Sequence, residues 1–478
     1  MKNKKSLLSS FIYNSIFTTL NIIFPLITLP YASRVIGAAG IGKVNFSNSI
    51  ANYFLIIASL GIPLYGIREV AKIRDNSEKL SKIFTEIFLI NSISTIISII
   101  LYYVMILNVN YFSNNKLLFI VSGFSIFLNI ANIDWLYQGL EEYKYIALRS
   151  IIFKVISLIC LFTFVKTKDD YITYALINIL AIGGNNIINI INIRKFTSFS
   201  FKNLEFNKHI KPITTLLSIQ LAVNIYINLD TTMLGILSGD DKVGYYTSAS
   251  RVNKIIVTVI TSVSTILLPR LSYYIEKNNM DEFKRIINKA IKVLILLNIP
   301  AMIGTIFLSN EIITVLFGKE FMPSIMTMRI MSPLIIILSI GNLFGQQILM
   351  TIGRENELLK SVVIGAIINF TFNFILIPNM NQNGAAISTV IAEFFVMLVQ
   401  VKIALKYIKV KIDKNFIINI IRANIMMMIV LIIISINVHD SIIKMISSII
   451  FGGMMYLIVN IVHKDETSLY VLSKLKKH

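Results

Sequence analysis

A small set of ionisable side chains stands inside long apolar runs. Each is costly to hold in a low-dielectric setting and is a functional candidate by default. The cations are Arg34, Lys154, Arg251, Lys254, Arg329, Lys402 and Arg422; the acids are Asp134, Asp230 and Glu393. Arg251 and Lys254 are one helical turn apart and share a face. Cations outnumber acids, so a cavity lined by them attracts an anion, and paired guanidinium donors fit a phosphate or pyrophosphate. Arg34, Lys154, Arg251, Lys254 and Arg329 form the candidate cationic cavity. Asp230, Asp134 and Glu393 are candidates for binding a coupling ion. Two plainer readings stay open: snorkelling to the interface, most natural for Lys402 and Arg422, and internal ion pairs with the three acids.

The same runs carry amides at helical spacing: Asn14, Thr18 and Asn21; Asn45, Asn48 and Asn52; Asn185, Asn189 and Asn192; Gln220, Asn224 and Asn228; Asn342 with Gln346; Asn369 with Asn373. Residues at i, i+4 and i+7 share one face. Such a stripe facing lipid is costly, so each faces another helix or a wet cavity. Interhelical hydrogen bonding, worth about 0.6 kcal/mol each, and a polar cavity for a hydroxyl-rich substrate such as a sugar chain are both open. Asn21, Asn48, Asn52, Asn224 and Asn228 are the candidate polar lining.

Other chemistry is poorly served. Cys160 is the only cysteine, which excludes an intramolecular disulfide and a Cys₄ zinc site. His209, His439, His463 and His478 form no cluster, so no metal is expected. Gly37, Gly42 and Lys43 follow a phosphate-binding loop, but Val44 stands where the magnesium-binding Ser or Thr belongs, and an apolar helix precedes it. The glycines read better as a tight turn between spans. No cofactor and no ATPase site are expected.

These residues must be positioned by membrane-spanning helices. The chain is 55% hydrophobic with mean hydropathy +0.73. Apolar runs of about 20 residues recur along it, each enough to cross a hydrocarbon core of about 30 Å. Spanning segments must satisfy their own backbone groups, and there is no period-two alternation, so the spans are helices and not a barrel. About fourteen are expected: 9–33, 44–66, 83–107, 116–138, 146–165, 171–193, 212–237, 245–268, 290–309, 326–350, 359–377, 384–406, 416–436 and 442–462. The run after Met1–Lys5 is too long for a cleaved signal, contains Pro25 and Pro30, and reads as the first span.

Alternate connections hold about thirty of the 45 Lys and Arg, and the positive-inside rule places that set, with both termini, in the cytoplasm. The net charge of +20 then follows from cytoplasmic loops and not from a nucleic-acid partner. Segments 67–82 and 269–289 carry mixed charge at helical spacing; a short helix on the membrane surface and a solvated loop are both open.

A pattern repeats about two hundred residues apart. Gly40-Ile41-Gly42-Lys43-Val44 leads into an apolar helix ending at Gly61-Ile62-Pro63; Gly239-Asp240-Asp241-Lys242-Val243-Gly244 leads into one ending at Pro269. A charged segment follows in both. The expected architecture is an all-α membrane protein with two pseudo-symmetric six-helix bundles, residues 1–205 and 206–406, and two further spans with a tail, 407–478.

The stretches Pro30-Tyr31-Ala32-Ser33-Arg34-Val35-Ile36-Gly37, Gly40 to Phe46 and Ala58 to Glu69 resemble the N-terminal signature of bacterial lipid-linked oligosaccharide flippases of the Wzx type. Asp134-Trp135-Leu136-Tyr137-Gln138-Gly139-Leu140-Glu141 and Val243 through Arg270 are similar to its later motifs. The resemblance implies the multidrug/oligosaccharidyl-lipid/polysaccharide exporter superfamily, a V-shaped two-bundle fold and a cationic lumen for phosphates. Many members have twelve spans, so the extra pair over 416–462 departs from the pattern. The expected activity is not enzymatic. It is the flipping of undecaprenyl-pyrophosphate-linked oligosaccharide from inner to outer leaflet of the bacterial cytoplasmic membrane by alternating access, for surface polysaccharide or O-antigen biosynthesis. The expected partners are the polyprenyl-pyrophosphate-linked oligosaccharide, the lipid bilayer, and the polymerase and chain-length proteins of the same pathway. The rival readings are an ion-coupled drug exporter, which calls for an acid-dominated cavity, and a membrane-embedded polysaccharide polymerase, which tends to carry a large external loop.

Overall fold

The computed structural model describes residues 7–265, 267–410 and 413–463. Among them every regular element is helical. By length and composition ten helices can cross a membrane, or eleven if the bent pair Ser324–Met331 and Leu334–Leu349 is one span. The chain divides into two compact units. The first runs to Gly235 and includes Gly239–Gly244; the second takes Ile236–Ser238 and the chain from Tyr245.

The first unit is built from α1 (Leu7–Ser59), α2 (Ile62–Ile73), α3 (Ser77–Asn108), α4 (Lys116–Phe127), α5 (Asp134–Gly139), α6 (Tyr143–Phe164), α7 (Tyr171–Asn192) and all but the last two residues of α8 (Asn207–Leu237). At about 1.5 Å per residue the 53 residues of α1 would run about 80 Å if straight, far beyond a bilayer; Gly37, with φ 71° and ψ −179°, breaks it. Tyr31 Oη donates to the Val165 carbonyl at 2.7 Å. Lys43 Nζ lies 4.7 Å from the Tyr171 ring centre. The two sides of Gly37 thus meet the end of α6 and the start of α7, which one short connection joins, and the chain reverses there.

The second unit holds most of α9 (Asp240–Thr265), then α10 (Leu268–Glu276), α11 (Met280–Phe307), α12 (Ser309–Phe317), α13 (Ser324–Met331), α14 (Leu334–Asn342), α15 (Glu355–Ala404), α16 (Lys414–Asn437), α17 (Ser441–Ser447) and α18 (Gly453–Val462). The 50-residue α15 breaks at Asn381, at φ 50°. A Cβ on Gly384 would stand 2.5 Å from the Leu376 carbonyl oxygen, so the chain doubles back on itself at that point.

The duplicated pattern is legible in local structure. In the first unit a short helix with Pro63 near its start precedes α3, whose first turn is capped by Asn76 accepting from the Lys79 N–H at 3.0 Å. In the second, α10 has Pro269 near its start, and Asn279 caps α11 by accepting from the Glu282 N–H at 3.2 Å. An Asn cap satisfies a backbone donor that the first turn leaves open. Both charged segments are therefore helical, with three corrections of boundary. The second span ends at Ser59, because Leu60 and Gly61 take positive φ, and α3 and α11 begin at Ser77 and Met280 rather than 83 and 290.

Each unit has its own core. In the first, Trp135 stacks on Phe84 with ring centres 5.7 Å apart, among Ile62, Tyr65, Ile87 and Tyr137. The stretch 194–211 is helical only at its ends. Its middle is strapped to α3: Ser200 N–H donates to Thr85 Oγ1 at 2.9 Å, Glu205 N–H to Glu86 Oε1 at 2.7 Å, and Lys82 pairs with Glu205. That ion pair holds the Glu205 carboxyl below the usual carboxylate range. In the second unit α16 and α18 pack through Phe416, Ile420, Met427, Leu431 and Tyr456 onto Leu296 of α11, and Tyr456 Oη donates to the Leu296 carbonyl at 2.8 Å.

Candidate amide pocket and buried cations

Three helical segments of the first unit converge on a cavity of about 240 Å³. The second half of α1 contributes Asn48, Asn52 and Leu55; the α4 segment contributes Ser125, Asn129 and Asn132; α7 contributes Asn178, Ile179, Ile182, Gly183 and Asn186. In each the spacing is i, i+4, i+7 or i+8, which puts the residues on one face. After Phe127 the α4 helix tightens into a 3₁₀ turn, Leu128–Ala131. Tightening frees backbone carbonyls from the α-helical ladder, and inside a membrane-long segment they need other donors. Asn186 Nδ2 donates to the Leu128 carbonyl at 3.1 Å and Asn91 Nδ2 to the Asn129 carbonyl at 2.8 Å. The Asn129 amide is itself engaged by Asn91 and Thr95.

Two pocket amides thus support the fold. The other four, Asn48, Asn52, Asn132 and Asn178, make no side-chain hydrogen bond among the described residues and are neither fully buried nor fully exposed. No charged side chain lines the pocket. Asn48 and Asn52 are where the sequence reading expected a polar lining. Asn178 and Asn186 are on the face of α7 opposite in role to the expected Asn185–Asn189–Asn192 stripe, of which Asn189 is fully buried and serves an ion pair.

That ion pair joins Asp134 to Arg149, which the sequence reading passed over. Arg149 Nη2 meets Asp134 Oδ1 at 2.8 Å, and Asn189 Nδ2 donates to the same oxygen at 2.6 Å. Arg149 is 4% exposed, and its guanidinium lies 5.2 Å from the Tyr145 ring centre. Its Nε and Nη1 have no partner among the described residues. Asp134 is therefore committed to internal pairing.

Lys154, further along α6, is also buried. Its Nζ donates to Asn21 Oδ1 at 2.6 Å and lies 5.8 and 5.9 Å from the ring centres of Phe17 and Phe24. Among the described residues no carboxylate pairs with it. The structure thus brings together two residues expected separately, one as a cavity cation and one as a cavity amide. An amide oxygen and aromatic faces solvate the ammonium without cancelling its charge.

Arg34 is exposed on α1. Asp230 is buried on α8, two residues before Thr232, whose Oγ1 is 3.0 Å from the Tyr53 hydroxyl. Asn224 and Asn228 donate to carbonyls of their own helix, Gln220 and Asn224, both at 2.9 Å. In the second unit Arg251 and Lys254 are exposed on α9, and Lys402 and Arg422 are exposed on α15 and α16. Glu393 is half-buried on α15. Arg329 donates from Nε to Ser309 Oγ at 2.7 Å. The second unit also holds a pair that the sequence reading missed, Lys444 Nζ with buried Glu311 Oε1 at 2.8 Å.

The family model for polysaccharide biosynthesis proteins matches residues 7–275, and that for the lipid II flippase MurJ matches residues 196–453. An Escherichia coli K12 protein described as an O-antigen transporter is 23% identical over 412 residues, covering 82% of this chain and 95% of that one. The capsular polysaccharide biosynthesis protein CapF of Staphylococcus aureus is 24% identical over 58% of this chain and 72% of its own. In fold the chain is similar to a lipid II flippase MurJ in an inward closed conformation, with TM-score 0.78 at 18% identity, covering 95% of this chain and 99% of that one. It is also similar to an inward-facing multidrug resistance MATE family transporter, with TM-score 0.66 at 12% identity over 83% and 97%.

Proposed function

The chain belongs to the polysaccharide biosynthesis protein family, as a Wzx-type member of the multidrug/oligosaccharidyl-lipid/polysaccharide exporter superfamily, and from that premise we propose that it flips undecaprenyl-pyrophosphate-linked oligosaccharide across the bacterial cytoplasmic membrane. The transported unit moves from inner to outer leaflet, where a polymerase and chain-length proteins use it for surface polysaccharide. The observation that carries this reading is Lys154: a buried ammonium in a membrane-long helix, held by an amide and two aromatic rings and not by a carboxylate. Its uncancelled charge suits an anionic group such as pyrophosphate. Arg34, Arg251, Lys254 and Arg329 complete the cationic set, and Asp230 and Glu393 are left as candidates for a coupling ion.

In this reading the chain crosses the membrane about fourteen times. Helices α1 and α15 each make two passes, reversing at Gly37 and Asn381, and α9 is counted as a span. The layout is two six-helix bundles and a final pair, with both termini cytoplasmic. Access alternates between the two sides while the polyprenyl tail stays in lipid.

Deleting the gene in a strain with no second flippase tests the function. Surface polymer is lost and lipid-linked units accumulate on the inner leaflet. Normal surface polymer in that strain overturns the reading.

A further inference from the structure

We propose that the amide pocket of the first unit is a recognition subsite for one uncharged sugar ring of the transported unit, a proposal that rests on the flippase reading. An anion in the pocket finds no cation on its walls, and a cation finds no carboxylate. Pyrophosphate therefore belongs elsewhere, and what suits this pocket is neutral and rich in hydroxyl or amide groups.

Asn48, Asn52, Asn132 and Asn178 each offer two N–H donors and a carbonyl acceptor, and none is used within the protein among the described residues. A sugar hydroxyl both donates and accepts, so it matches an amide in either direction. At roughly 30 Å³ per water the cavity of about 240 Å³ has room for about eight waters, the scale of one ring and not of a chain of rings. Leu55, Ile179 and Ile182 add apolar lining, which suits the C–H face of a pyranose. Such mixed lining, apolar with a few convergent polar groups, is the usual make-up of a small-molecule site.

The test compares binding of two lipids to the full-length protein in detergent: polyprenyl pyrophosphate, and the same lipid bearing the oligosaccharide extracted from producing cells. The four free amides make no internal bond, so truncating them should spare the fold; apo thermal unfolding checks this. Each neutral hydrogen bond lost changes affinity by roughly 2- to 13-fold. The parent should prefer the sugar-bearing lipid by about tenfold or more. Asn48→Ala with Asn178→Ala should remove most of that preference while binding of the bare lipid is kept. If that pair unfolds early, Asn52→Ala with Asn132→Ala provides the same measurement. Unchanged preference in a folded double variant overturns the subsite and leaves the flippase reading standing. Failure of the parent to bind either lipid overturns the flippase reading itself. Stabilisation of the parent by millimolar free monosaccharides of the unit, with no preference between the two lipids, also overturns the proposal, because it makes the pocket a free-sugar site.

Discussion

Gly42 packs so closely on Asp240 that a Cβ there would stand 1.6 Å from the Asp240 carbonyl oxygen. The relation is reciprocated: a Cβ on Gly244 would stand 2.1 Å from the Ala38 carbonyl oxygen. The two copies of the repeated Gly–Lys–Val stretch thus meet backbone to backbone within the first unit, and only glycine at both positions permits it. This is why Gly42 stands where a phosphate-binding loop would also put a glycine.

Gly42→Ala therefore has no room to fit without moving backbone. It should destabilise by about 1–3 kcal/mol or more, the usual cost of overpacking. Gly304 of α11 is the control, because a Cβ there meets nothing within 4 Å. Gly304→Ala should be neutral or stabilising by up to about 1 kcal/mol through helix propensity. Thermal unfolding in one detergent compares them; equal midpoints for the two variants would refute the close approach.

The Asp134–Arg149 pair predicts a structural rather than an ion-coupling role for Asp134. Asp134→Asn should cost about 1.5–3 kcal/mol, the worth of a hydrogen bond to a charged group. Arg149→Met should cost a similar amount. The double variant should lose less than the two single losses added together, with a coupling of about 0.5–3 kcal/mol. If Asp134→Asn keeps full stability but abolishes export, Asp134 is an ion-coupling residue and the pair is incidental.

Glu311 and Lys444 make a second test, in the other unit. Glu311 Oε2 is buried without a partner among the described residues, so Lys444 alone offsets the charge. Lys444→Met leaves that carboxylate uncompensated and should cost about 3–5 kcal/mol. Replacing both with methionine should recover most of the loss, since an apolar pair of similar volume is often neutral or stabilising. A double variant no more stable than Lys444→Met would show that packing of α17 on α12, not charge, is what matters.

The class of fold was legible because a run of about 20 apolar residues has few other uses. The repeat was legible because Pro63 and Pro269, and the charged segments behind them, mark the same local event twice. Which face of a helix looks inward was not legible. On α7 the Asn185–Asn189–Asn192 stripe and the Asn178–Asn186 pair are both at helical spacing, and only packing decides that the first serves Asp134 and the second the pocket. Asn132 was hidden for the same reason. With Ser125 and Asn129 it stands at helical spacing, but spacing alone does not say that this face of the α4 segment meets α1 and α7. Arg149 lies close to the charged end of α6 and so reads as an interfacial residue, although it is almost fully buried.

The last prediction separates binding cations from snorkelling ones. The proposed function has Lys154, Arg34 and Arg251 bind the anionic headgroup and leaves Lys402 to snorkel to the membrane interface. Lys154 is held by Asn21, so its ammonium is fixed in place before any ligand arrives, and Lys154→Gln removes the charge while keeping a hydrogen-bonding group toward Asn21. Loss of one charge-assisted hydrogen bond should cost about 1.5–3 kcal/mol, roughly 10- to 150-fold in affinity. Lys154→Gln, Arg34→Ala and Arg251→Ala should each reduce polymer export by about that factor at matched membrane protein level. Arg34→Lys and Arg251→Lys should recover only part of it, because the ammonium keeps the charge and loses the bidentate fork. Lys402→Ala should export as the parent does. Unfolding midpoints of the purified variants tell loss of binding from loss of fold: the three cation variants should unfold within a few degrees of the parent. If all three export like the parent, no cationic cavity holds the headgroup, and the family membership stands without it.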